Sequence, residues 1–310
     1  MQTATKTSLK TVFIGWRVLL LERPFVSLGL ALSLMSVLLM VLLSLMQLFT
    51  DIEPQYLRWA LLAGMLGAAS TALGALPGII VKKTPDIVED SMLGVAAGMM
   101  LAATVFSLIL PGLEVAEVLT ANTLLGVLLI ILGMSFGVLL MLGLDHFLPH
   151  EHQHTGPCGA GHQQVGRVSL FVLAIALHNF PEGMAIGVGF TDGDLSVGIP
   201  MTAAIALQNI PEGLAVVLAL RRINMPAAKA VAIAAATGLV EPLGALFGIL
   251  MASGAPVSYP LGLGIAAGAM LFVVSHEVIP ETHRNGHQTP ATLGLMAGFF
   301  LIMLLDTLLG

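Results

Sequence analysis

Two stretches of one pattern set chemistry-bearing residues inside apolar sequence. The first is Ala176-Leu177-His178-Asn179-Phe180-Pro181-Glu182-Gly183; the second is Ala206-Leu207-Gln208-Asn209-Ile210-Pro211-Glu212-Gly213. Aligned from Ala174 and from Ala204, nine of twelve positions are identical. Helical spacing puts His178 and Glu182 on one face, and Gln208 and Glu212 on another, with Asn179 and Asn209 beside them. Pro181 and Pro211 have no N–H, so each frees the carbonyl one turn back, on Leu177 or Leu207. An ionisable group at membrane depth costs roughly 2.5–3.5 kcal/mol on insertion scales, so it requires a partner. Carboxylates, an imidazole and amide oxygens converging there are donors for a hard-to-borderline divalent metal ion.

Other polar residues interrupt apolar runs. Glu241 precedes Pro242 and repeats the carboxylate-beside-proline theme; a metal-linked role is expected, with pairing to a hydroxyl as the alternative. Met100 and Ser107 are seven residues apart and so share a helix face. The thioether of Met100 would favour zinc, cadmium or ferrous iron over magnesium or calcium, unless it only packs. His276 and Glu277, in Ser275-His276-Glu277-Val278-Ile279-Pro280, read as a transit site near the end of a run. That segment is similar to the start of a zinc-protease helix, but Pro280 stands where the second histidine is needed. Asp145 and Asp306 fall near run ends, where solvated charge is ordinary; Asp306 would help admit cations. The stretch 145–167 holds His146, His150, His152, His154, Cys158 and His162. It is expected to be disordered and to bind metal through His150, His152 and His154.

These residues belong to a very apolar chain. Of 310 residues 57% are hydrophobic and 10% charged, and the mean hydropathy is +0.96, which indicates an all-α integral membrane protein. The 34 glycines suit closely approaching membrane helices. One cysteine excludes an intrachain disulfide, and nothing suggests nucleic-acid binding. Spans are predicted at 25–49, 57–81, 91–113, 121–144, 168–190, 195–220, 226–252, 257–279 and 291–309, nine in all. The first is too long for a signal peptide and lacks a cleavage site. With the N-terminus cytoplasmic, eleven Lys and Arg residues fall inside and only Arg58 outside. The C-terminus and the acidic loops carrying Asp51, Glu53, Glu114, Glu117, Asp192 and Asp194 then face outward, where they would gather cations. The two motifs lie on antiparallel spans, which implies an inverted repeat about the midplane, a feature of secondary transporters.

The paired motif, Glu241-Pro242 and the histidine-bearing loop before the first motif resemble the ZIP (Zrt/Irt-like) family of divalent metal transporters, and its bacterial members in particular. The resemblance covers about residues 57–310. It implies an eight-helix core, the motif helices at the centre of an inverted repeat, and a binuclear metal centre. One ion would meet Met100, His178, Glu182, Gln208 and Glu212. The other would meet Asn179, Glu182, Asn209, Glu212 and Glu241, the two glutamates bridging. Two departures stand out: the N-terminal span lies outside the eight-helix pattern, and Gln208 replaces the histidine of many relatives. The expected organisation is thus an N-terminal segment with an extra helix, 1–56, and a transport domain, 57–310.

The expected function is import of zinc and related divalent cations (cadmium, with iron and manganese as further candidates) across the bacterial inner membrane. Zn2+ or Cd2+ would be bound as substrate, with no cofactor. The ion would pass Met100 and Ser107, bind at the midplane, and leave by His276, Glu277 and the loop, one helix bundle moving against another. A carboxylate that loses its metal there must find another positive charge, and a proton is the smallest. A selective channel would use the same ligands; an intramembrane hydrolase lacks its HExxH, and a sensing receptor would need a signalling domain. Partners are the metal ions, the lipid bilayer and, in a homodimer, a second copy of the chain.

Overall fold

The computed structural model describes residues 22–47, 53–81, 84–147, 150–152, 156–158, 167–222, 224–283 and 285–309. Its helices are α1 (Pro24–Gln47), α2 (Pro54–Ala75), α3 (Asp86–Ala103), α4 (Leu110–Thr120), α5 (Thr123–Phe147), α6 (Arg167–Gly189), α7 (Leu195–Arg222), α8 (Ala227–Gly238), α9 (Val240–Ala252), α10 (Ser258–Val273), α11 (Ile279–Thr282) and α12 (Gln288–Leu309). Among the described residues, eight stretches are helical, long and apolar enough to cross a membrane. The helix α6, 23 residues long, carries the first motif. Prolines start α1 and α2, where the missing N–H costs nothing. Ala121, in the left-handed conformation at φ 50°, ends α4, and Asn122 caps α5 by accepting the Leu125 N–H at 3.1 Å.

Three spans depart from the predicted continuous helices. A wide π-helical turn, Thr104–Ile109, joins α3 to α4, and another, Val274–Val278, joins α10 to α11. Pro111 and Pro280 follow them closely, and each denies a hydrogen bond to the carbonyl four residues back, on Ser107 or His276. The extra residue per turn shifts the register, so the simple seven-residue alignment of Met100 with Ser107 does not hold. The span predicted at 226–252 breaks at Leu239, which puts Glu241 in the first turn of α9.

Glycines show how the helices group. A Cβ on Gly94, Gly98, Gly294 or Gly298 would strike backbone across the α3–α12 contact, and one on Gly133, Gly137 or Gly268 backbone across α5–α10. Gly183, Gly187, Gly244 and Gly248 do the same for α6–α9, and Gly74 and Gly213 for α2–α7. Two bundles result: α3, α4, α5, α10 and α12 in one, and α2, α6, α7, α8 and α9 in the other. Among the described residues, every helical glycine this close to another helix's backbone faces a partner in its own bundle. Between bundles, Gly262 of α10 meets only side chains, those of Ala252, Met251 and Val188, at 3.2–3.6 Å. The pairs repeat as an inverted repeat requires: α2–α7 answers α9–α6, α3–α12 answers α10–α5, and the π turns lie in corresponding spans. Gly213 abuts the Thr71 carbonyl as Gly183 abuts that of Glu241.

Polar ties fix the ends. Asp90, 2% exposed, accepts from Asn285 Nδ2 at 2.9 Å and His287 Nδ1 at 2.8 Å, joining the start of α3 to the loop before α12. Arg221 donates to the carbonyls of Gly78 (2.6 Å) and Val81 (3.2 Å), closing the end of the α2 span. At the opposite ends, Tyr56, Trp59 and Phe190 form a tilted aromatic row, as at a membrane boundary. The helix α1 packs on both α5 and α9, with Gly254 against its backbone at Met40 and Ser44.

The loop expectation is corrected in part. Asp145, His146 and Phe147 complete α5, and Arg167 begins α6. Between them β1 (His150–His152) and β2 (Gly156–Cys158) form a two-stranded antiparallel ladder instead of a disordered tract. His154 and His162 lie outside the described residues, as do residues 1–21.

Candidate metal centre

The motif residues meet where α6, α7, α9 and α2 converge. Asn179, Glu182, Gln208, Asn209 and Glu241 are all at most 2% exposed. Gln208 Nε2 donates to Glu182 Oε1 at 2.7 Å, and Asn209 Nδ2 donates to Glu241 Oε1 at 2.9 Å and to the Gly67 carbonyl at 3.2 Å. Each amide therefore points its nitrogen at a neighbour and leaves its oxygen over. Buried atoms without a hydrogen-bond partner include Asn179 Nδ2, Glu182 Oε2, Gln208 Oε1, Asn209 Oδ1 and Glu241 Oε2, one from each of these five residues. Glu212 is half-buried and close enough to interact electrostatically with Glu182, Glu241 and His178. Burying unpaired polar oxygens is costly, and the four oxygens in this set, Glu182 Oε2, Gln208 Oε1, Asn209 Oδ1 and Glu241 Oε2, are of the kind that ligates cations. Among the described residues, no three His, Cys, Asp or Glu side chains are gathered as a metal site. Amide and thioether donors would have to contribute, as the expected ligand sets already require.

Met100, on α3, is buried at 2% exposure. Farther along the same span Ser107 donates to Asp306 Oδ1 at 2.6 Å, joining two residues separately expected near the entrance. His178 Nε2 lies 3.2 Å from Glu277 Oε2, a direct link between the first motif and the expected transit pair. His276 Nε2 lies 4.0 Å from Asp145 Oδ2, and His146 Nδ1 lies 3.6 Å from the same oxygen. Arg23 NH1 then meets His146 Nε2 at 3.2 Å. Asp145, expected to be an ordinary solvated charge, is only 14% exposed at its side chain and belongs to this row of imidazoles and carboxylates. Its place was hidden because nothing local in sequence announces a partner more than a hundred residues away.

The acids expected to face outward are less free than expected. Asp194 Oδ1 accepts from the N–H groups of Ser196 and Val197, capping α7, and its Oδ2 accepts from Tyr259. Glu117 accepts from the Thr123 hydroxyl. Glu53 and Glu114 are exposed. Thr71, which no sequence signal singled out, donates to Glu241 Oε1 at 3.1 Å.

A sequence profile described as ZIP Zinc transporter matches residues 145–306. The chain is 53% identical over 296 residues to the zinc transporter ZIPB of Bordetella bronchiseptica, covering 96% of each protein. The chain belongs to the ZIP zinc transporter family. It is also 41% identical to the zinc transporter GufA of Myxococcus xanthus, over 81% of this chain and 98% of that one. The human zinc transporter ZIP11 matches at 37% identity over 46% of the chain and 44% of its own length. As a ZIP family member this is a multi-pass membrane protein and not an enzyme, in agreement with the expected class.

Proposed function

We propose that this protein carries zinc, and with it cadmium and related divalent cations, across the bacterial inner membrane into the cytoplasm through a two-ion site. One ion would be held by Met100, His178, Glu182, Gln208 and Glu212; the other by Asn179, Glu182, Asn209, Glu212 and Glu241. The observation that carries this reading is the set of four unpartnered buried oxygens, Glu182 Oε2, Gln208 Oε1, Asn209 Oδ1 and Glu241 Oε2. The names of the relatives, all zinc transporters, support the choice of zinc. Residues 57–310 would be the transport unit and 1–56 an accessory segment. The ion enters past the Ser107–Asp306 pair and Met100, binds where α2, α6, α7 and α9 converge, and leaves along His178, Glu277, His276, Asp145 and His146; His150, His152 and His154 would then take it up. Backbone contact within each bundle and side-chain contact between them suit movement of one bundle against the other.

Zinc uptake into proteoliposomes, measured across a panel of divalent ions, tests the function. Saturable zinc flux with weaker cadmium flux is expected, and a vesicle preparation impermeable to zinc would overturn it. Orientation is tested with a membrane-impermeant thiol reagent on spheroplasts. Cys158 should react only after lysis, whereas a cysteine placed at Gly310 should react before it. The reverse pattern would invert the proposed direction.

A further inference from the structure

Glu241 is gripped by a helix outside both motifs. Its Oε1 accepts from Asn209 Nδ2 at 2.9 Å and from Thr71 Oγ1 of α2 at 3.1 Å. Its Oε2 is buried without a partner and occupies the space beside Gly67, where a Cβ would collide with it. Thr71 is itself 3% exposed and has a second acceptor in reach, the Gly67 carbonyl at 3.3 Å. A hydroxyl has one proton, and an ionised carboxylate is the stronger acceptor. The inverted repeat adds meaning: Thr71 of α2 stands against Gly213 as Glu241 of α9 stands against Gly183. One half of the repeat contributes the carboxylate, and the equivalent position in the other half contributes a neutral donor to it.

We infer that Thr71 is a positioning residue for the second metal position: together with Asn209 it holds Oε1 of Glu241 and leaves Oε2 unbonded for the ion. Both donors are neutral, so they orient the carboxylate without cancelling the charge that attracts a cation. A carboxylate ligand held this way binds better than one free to rotate, and loss of such an outer partner typically weakens metal binding by about 10–100-fold. The inference rests on the two-ion reading of the site.

The test is zinc titration of the purified full-length protein by calorimetry, with metal content measured independently. Wild type should load two zinc ions per chain. Thr71→Val, which exchanges the hydroxyl for a methyl of similar size, should weaken one of the two by about 10–100-fold and leave the other unchanged. The half-saturating zinc concentration for uptake should rise with it. Thr71→Ser should restore both, and Thr71→Ala serves if the valine variant does not fold. Wild-type or tighter binding in the valine or alanine variant would overturn the inference, because Thr71 would then serve only the Gly67 carbonyl or hold Glu241 away from the ion. A serine variant that binds as weakly as the valine variant would also overturn it. If wild type loads a single ion, the two-position reading fails first, before any Thr71 variant is examined, and takes this inference with it.

Discussion

Replacing Glu182 and Glu212 together by glutamine should strip the purified protein of bound zinc and bring uptake down to background. Both side chains sit among buried amides and carboxylates, with Gln208 holding Oε1 of Glu182 and leaving Oε2 over. Glutamine preserves the shape and can still accept from Gln208, so packing is largely kept while charge is lost. Removing one member of a buried charge pair costs about 3–5 kcal/mol, roughly 10²–10⁴-fold for each substitution. His178→Ala should do less damage and Asn179→Ala or Asn209→Ala least, because ion–ion energies in a low-dielectric site exceed those of neutral dipoles. Metal analysis of the purified variants decides the matter. Wild-type zinc loading in the double variant would show that these carboxylates serve only their protein neighbours.

The second large effect is expected at a residue with no side chain. A Cβ on Gly183 would strike the Glu241 carbonyl, so Gly183→Ala forces α9 away from α6 and carries Glu241 with it. Overpacking of this kind costs about 1–3 kcal/mol, and here the displaced backbone bears a proposed ligand. The variant should unfold at lower temperature in detergent and lose zinc from the position served by Glu241. Gly262→Ala is the control, since its nearest neighbours are side-chain atoms at 3.2–3.6 Å across the seam between bundles. It should melt and load zinc like wild type. Equal behaviour of the two variants would remove the distinction between rigid pairs and a seam.

Much of this was legible because membranes penalise polar residues. His178, Glu182, Glu212 and Glu241 stood out against apolar runs, and the thirty-residue repeat of the motif announced two related helices. Long apolar segments with basic residues gathered on alternate loops marked the spans. The π turns were not legible: a proline closes many helices without widening the turn before it, and only packing decides which outcome follows. Thr71 was invisible for a different reason. A threonine in an apolar helix normally bonds the carbonyl four residues back, and it does reach Gly67; its second partner, Glu241, comes from the far half of the chain. Asp145 and Asp90 likewise draw meaning from partners brought together only by the fold.

The glycine contacts also dictate when the protein becomes itself during synthesis. The backbone of α3 around Gly94 and Gly98 rests on Ala291 and Leu295 of α12, a helix that leaves the ribosome long after α3. The helix α2 waits for α7, α5 waits for α10, and α6 waits for α9. None of these pairs is formed by consecutive spans, so in each the earlier helix is in the bilayer before its glycine partner is inserted. The contact of α3 with α12 cannot form before α12 emerges, so this pairing comes late. A nascent chain cut short of α12 leaves the glycine face of α3 against lipid, where it has nothing close enough to touch.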